Sequence, residues 1–234
     1  LLAQTGGGCR ATNYVAIARK ALRDAGMGQV PVLSLRKDNN SNFTLSWSLF
    51  KNLVISIIYG DLLMRVLYRV RPYEKQPGAA QALYNRWLAK CKEKLASGNS
   101  HNFKRNIFGI VRDFEQLEID EQCIKPRVGL VGEILVKYHP TANNHLVEML
   151  EREGAEVVVP DLLDFFLYCF YDSTVRYQLL AGTFLDKLKG DITRRVIELY
   201  RRQLRKALAA SKPFQQPLTL GQIAQLAAKH LSLG

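Results

Sequence analysis

The stretch PRVGLVGEILVKYHPTANNHLVEMLEREGAEVVVP, residues 126–160, decides the reading of this chain. It runs from a short valine-rich segment through a GEI loop and an amphipathic helix to a glycine stop and a second buried apolar segment. That order is a strand, a crossover helix and a returning parallel strand, with Pro126 marking the start. The first residues repeat the logic. LLAQ, the glycine loop TGGGC and ATNYVAIARKALRDAG read as strand, loop and helix, closed by Gly26. QVPVLSL, residues 29–35, then reads as the returning strand, with Pro31 favouring a strand start or an edge.

Between these units helices dominate. Residues 47–70 have long apolar periodicity, broken by RPYEKQPG and its two prolines. QALYNRWLAKCKEKLAS and FKRNIFGIVRDFEQLEI follow, the second placing Phe103, Ile107, Ile110, Val111, Phe114 and Leu117 on one apolar face. Beyond residue 160 come the aromatic stretch DFFLYCFYD, a helix DITRRVIELYRRQLRKALAA with Asp191 as its N-cap, the breaker PFQQP and a last helix, LTLGQIAQLAAKHL. The expected architecture is α/β: two Rossmann-like lobes with parallel strands and a substantial helical insertion, divided as residues 1–124 and 125–234. Ligands in such folds bind where the strands end at their carboxyl side, which points to a cleft between lobes.

The chain has 234 residues, 47% of them hydrophobic, and a net charge of +12. Such a charge suits a phosphate-bearing ligand, an acidic partner or nucleic acid. No aromatic platform or reading motif accompanies Arg194, Arg195, Arg201, Arg202, Arg205 and Lys206, so these six read as the basic outer face of one helix rather than a nucleic-acid interface. Asp61 and Arg65 interrupt LVISIIYGDLLMRVLYRV, which makes it a buried helix and not a membrane span. Cys9, Cys91, Cys123 and Cys169 lack zinc spacing and the density of a secreted scaffold, and the expectation is a cytoplasmic protein. No basic leader opens the chain. A start inside an apolar run at Leu1 and a stop at LSLG read as a segment of a longer protein.

Candidate functional residues follow from these positions. Gly6, Gly7 and Gly8 at a helix N-terminus let an anion approach backbone N–H groups, although the spacing is neither a Walker loop nor GxGxxG. The helix end and Arg10 favour the thiolate of Cys9, which otherwise reads as a small residue packed under the loop. Cys169 stands among aromatics that could exclude water from a metal cluster, or pack it as a core cysteine. Cys91 and Cys123 read as structural. Glu133 follows the strand and points to the cleft, or pairs with Lys137 or Arg127. His139 and His145 lack a third metal ligand, and their loop suits helix capping.

Taken together, AQTGGGCRATNY, RPYE, PRVGLVGEILVKYHP and NNHLVEMLEREGAEVVVPDLLDFFLYC resemble the 2-hydroxyacyl-CoA dehydratase and CoA-substrate-specific enzyme activase-related family, relatives of benzoyl-CoA reductase. The resemblance runs along most of the chain. It implies an iron-sulfur module whose 4Fe-4S cluster takes Cys9 and Cys169 as ligands, with Gly6 to Gly8, Arg10 and Glu133 around it. It implies a dehydratase or reductase system in which an ATP-dependent activator of the ASKHA type drives low-potential electron transfer to an acyl-CoA-like substrate. Neither nucleic acid nor membrane is implied as a partner, and a homodimer is compatible. The family's further cysteine motifs are missing here, which leaves the cluster incomplete in this segment. Two other readings stand beside it: a phosphate- or nucleotide-binding domain without iron, and a structural segment that docks a partner through its Arg-rich helix.

Overall fold

The computed structural model describes residues 13–32, 46–98 and 102–229. The chain divides into two compact units, Leu1–Lys51 and Asn52–Gly234. In the first unit α1 spans Tyr14–Asp24, and Gly26, at φ +74°, takes the left-handed conformation that ends it. Helix α2, Trp47–Val70, starts in this unit and continues into the second, matching the periodicity of the sequence. Beyond it lie α3 (Ala79–Ala96), α4 (Phe103–Glu115), β1 (Arg127–Gly129), α5 (Ile134–Tyr138), α6 (Leu146–Arg152), β2 (Glu156–Val158), α7 (Leu162–Gln178), α8 (Phe184–Ala209) and α9 (Leu220–Ala227).

The expected pair of Rossmann-like lobes is not what forms. Of the described residues 68% are helical, and two short parallel strands stand among them. Residues 126–160 do build a parallel β-α-β unit, with Arg127, Val128 and Gly129 in register with Glu156, Val157 and Val158. Gln29–Val32, expected as part of a strand, is turn and irregular chain, with Val30 44% exposed. A valine there has no buried face to stabilise a strand, and Pro31 has no N–H for a ladder. The rest of that expected strand, and the one before TGGGC, lie outside the described residues.

In the second unit the core forms along the apolar length of α2, where Ile55, Ile58, Leu62, Leu63 and Val66 are each at most 1% exposed. Helix α4 buries Phe103, Ile107, Ile110, Val111 and Phe114, the face its spacing predicts, and adds Asn106, whose amide donates to the Tyr59 hydroxyl at 3.2 Å. A polar residue survives in that face because its partner is buried with it. On the β-α-β unit, Leu130, Val147, Val157 and Val159 pack together against Met64 and Tyr68 of α2.

Helices α7 and α8 pack against each other across a five-residue connection. Helix α8 begins at Phe184, capped by the Thr183 hydroxyl accepting from the Asp186 N–H, so Asp191 is not the expected cap. Asp191 lies inside the helix, where its carboxylate takes the Thr174 hydroxyl at 3.1 Å and Arg194 at 3.0 Å. Gly190 allows this approach. A Cβ there would collide with the Ser173 hydroxyl and stand 2.8 Å from the Phe170 carbonyl oxygen.

This close packing gives a paired prediction. Alanine is worth about 1 kcal/mol more than glycine in a helix interior, and at exposed Gly60, where a Cβ meets nothing within 4 Å, Gly60→Ala stabilises the protein. At Gly190 a backbone carbonyl is in the way and cannot rotate clear, so Gly190→Ala loses about 1–3 kcal/mol. Thermal midpoints moving in opposite directions check both, and equal midpoints would show that α7 and α8 are loosely packed.

Candidate functional site

Two clusters of buried charge surround the β-α-β unit, and both begin on α2. Arg69 and Arg65 lie one helical turn apart, so the two guanidiniums share a face. Arg69 donates to the Glu156 carboxylate at 2.9 Å. The same carboxylate takes the Tyr73 hydroxyl at 2.9 Å and pairs with Arg127 across the ladder at 3.0 Å. Glu156 is 3% exposed, and three partners satisfy a charge that burial alone would not tolerate. Burial, with this hydrogen bond next, pushes the Tyr73 phenol up from its ordinary value.

The second cluster joins α2 to α7 and α8. Asp161 is 1% exposed; one oxygen accepts from Arg65 at 2.6 Å and the other from Arg201 at 3.0 Å. Arg201, also 1% exposed, pairs with Asp164 at 2.7 Å. Asp61, 4% exposed on α2, accepts from the N–H groups of Leu162 and Leu163 at 2.8 and 2.9 Å, and so caps α7 from another element. Burial first and the neighbouring Asp161 charge second hold the Asp61 carboxyl up at about 8. Beside it Arg65 and Arg201 face Asp161 and Asp164, and Glu198 stands 3.8 Å from Arg201, so acidic groups outnumber the arginines and the neutral form of Asp61 is favoured.

The RPYE motif is absorbed by these contacts. Arg71 grips Glu151 with two hydrogen bonds, at 2.8 and 3.1 Å, and Gln81 with a third. Pro72 stands at the start of a 3-10 turn, Tyr73 reaches Glu156, and Glu74 accepts from the N–H groups of Gly78 and Ala80, both at 2.7 Å, at the start of α3. The motif thus ties the end of α2 to α3 and to the β-α-β unit. It offers no free nucleophile.

Of the residues singled out in the sequence, Gly6, Gly7, Gly8, Cys9 and Arg10 lie outside the described residues. Glu133 follows β1, and its carboxylate accepts from the N–H groups of Leu135 and Val136 at 2.9 and 3.1 Å, capping α5. Arg127 pairs with Glu156. Cys169 is half-buried in α7; Cys91 is 2% exposed, and burial pushes its thiol up to about 12, so it stays protonated. His139 accepts the Ala142 N–H through Nδ1, and His145 stands 3.9 Å from Glu148. The basic outer face of α8 needs one correction. Arg195, Arg202 and Lys206 are exposed, but Arg201 is buried.

Asp61, Asp161 and Arg201 were not legible as a site. The signal for Arg201 was present: it occupies the apolar seam Ile197, Arg201, Leu204, Leu208, where a charge is buried and needs a partner. Asp61 carried the same signal within α2. Neither position names its partner, because the partners are 40 and about 100 residues away.

Comparison with protein-family models, curated proteins and solved structures finds no match. The chemistry of the described residues therefore carries the functional argument. Among them, no group of three or more His, Cys, Asp or Glu is placed to hold a metal ion, and no helix is long and apolar enough to cross a membrane.

Proposed function

We propose that this chain is a cytoplasmic module of an iron-sulfur protein like the 2-hydroxyacyl-CoA dehydratase and activase-related proteins, taking part in ATP-driven low-potential electron transfer toward acyl-CoA-like substrates. The observation that supports the reading is how the resembling stretches meet. Arg71 of RPYE holds Glu151, just before EGAEVVVP, and Tyr73 holds Glu156 within it, some 80 residues later. Asp161 of PDLLDF returns to Arg65 of α2. Motifs distant in sequence thus form one scaffold around the β-α-β unit, with Cys169 two turns further along α7 from that scaffold.

The described residues do not by themselves fit a 4Fe-4S cluster. A cubane takes thiolates at most of its irons, and among the described residues no such group stands together. On this reading the chain supplies the scaffold and two ligands, Cys9 and Cys169, and a longer parent protein supplies the others. No chemical step is assigned to the segment itself.

The test is iron and acid-labile sulfide per chain in the parent protein, purified anaerobically, beside Cys9→Ala and Cys169→Ala. Both variants are expected to lose iron while keeping the helical circular-dichroism signal. A parent without iron, or variants that retain all of it, would overturn the proposal.

A further inference from the structure

Beside the edge of β2 opens a cavity of about 260 Å³, all within the second unit. Four cations line it: Arg65 and Arg69 from α2, Arg127 from β1 and Lys212 from the segment after α8. Glu156 is the one carboxylate in that lining. Its charge is already shared by Arg69 and Arg127, so the lining carries a surplus of positive charge.

The three arginines are held but not used up. Arg65 spends Nε and one terminal nitrogen on Asp161, while Arg69 spends Nε on the Pro213 carbonyl and one terminal nitrogen on Glu156. Arg127 reaches Glu156 through Nε. Each therefore keeps a terminal nitrogen without a hydrogen bond among the described residues. Their other bonds fix where those nitrogens stand, which lowers the entropy lost on binding. The segment carrying Lys212 is pinned too, since the Lys212 N–H donates to Glu115 at 3.2 Å.

The backbone adds a donor. The Glu156 N–H donates to the Pro126 carbonyl and the Val158 carbonyl accepts from Leu130, so the alternation of a parallel ladder turns the Val157 N–H to the edge away from β1. Val157 lines the cavity. Guanidinium forks with a backbone N–H are the donor set that tetrahedral phosphate oxygens satisfy. The volume is below the usual range of about 300–1,000 Å³ for small-molecule pockets, which suits a group rather than a large ligand.

We propose that this cavity binds the phosphate or diphosphate group of a ligand, independently of any iron chemistry. Arg127 and Lys212 are the residues to remove, because both side chains reach solvent and neither sits in the buried Asp161 cluster.

Titration calorimetry of the full chain with inorganic pyrophosphate, at constant ionic strength, tests the assignment. Arg127→Gln and Lys212→Gln are each expected to weaken binding by about tenfold, the loss of one charge-assisted hydrogen bond. Arg195→Gln and Arg202→Gln, on the exposed face of α8, are expected to leave it unchanged. Malonate, similar in size but planar at each carboxylate, is expected to bind at least about tenfold more weakly. Absence of pyrophosphate binding overturns the proposal, as does equal loss in the α8 variants, which would mark diffuse attraction to a basic chain. Malonate binding as tightly as pyrophosphate overturns the phosphate assignment. Thermal melts of each variant separate loss of the site from loss of the fold.

Discussion

Arg201→Met destabilises the protein by about 3–5 kcal/mol, the usual cost of removing one partner from a buried ion pair. The guanidinium is 1% exposed and bridges Asp161 at 3.0 Å to Asp164 at 2.7 Å. Methionine fills much of the same volume, so the loss is electrostatic and not a cavity. Asp164 is left without its cation, and Asp161 keeps Arg65 alone. Arg201→Lys recovers only part of the loss, because an ammonium cannot present two forks to two carboxylates. Urea unfolding checks this: both midpoints fall at unchanged slope, methionine further than lysine. A methionine variant within about 1 kcal/mol of the parent, the scale of an exposed pair, would mean that Arg201 does not join α7 to α8 in solution.

The second large effect concerns pH. Asp61 has a folded value of about 8, raised from 3.8 by burial and then by Asp161. The native state therefore holds a proton that the unfolded chain releases between pH 4 and 8. Stability linked to this group is complete below pH 4 and declines as pH rises, with a slope of at most about 1.4 kcal/mol per unit for one proton. Asp164, also pushed up by burial, adds to the same direction. Urea midpoints of the parent are expected to fall between pH 5 and pH 8.5. Asp61→Asn cannot ionise and flattens much of that fall. The protonated carboxyl keeps a hydroxyl oxygen that can still accept where the amide presents an NH2 that cannot, so one of the N–H groups of Leu162 and Leu163 loses its acceptor and the variant starts about 1–3 kcal/mol lower at acid pH. Parallel profiles for parent and variant would remove Asp61 as the source.

Both effects come from charges inside apolar helices. Local pattern predicts α1, α2, α3, α4 and α6, because an amphipathic or wholly buried helix writes its burial into spacing. It fails where the outcome depends on neighbours. A valine run such as Gln29–Val32 becomes a strand only if another strand lies beside it. Asp191 looked like a cap because Asp is a good N-cap, yet the chain had already become helical at Phe184. The short helix α5 carries no such signal, since its five residues bury no side chain and leave no apolar stripe.

The sequence by itself determined the long amphipathic and buried helices α1 to α4 and most of the apolar faces they bury, and where glycine and proline end them; these depend on interactions within about one turn of chain. The tertiary structure alone decided that Glu156 would gather Arg69, Arg127 and Tyr73, that Asp161 would sit between Arg65 and Arg201, and that four cations would border one cavity. A buried charge announces in sequence that it needs a partner. It does not say which one, because opposite charges are abundant and their pairing is set by how apolar faces pack.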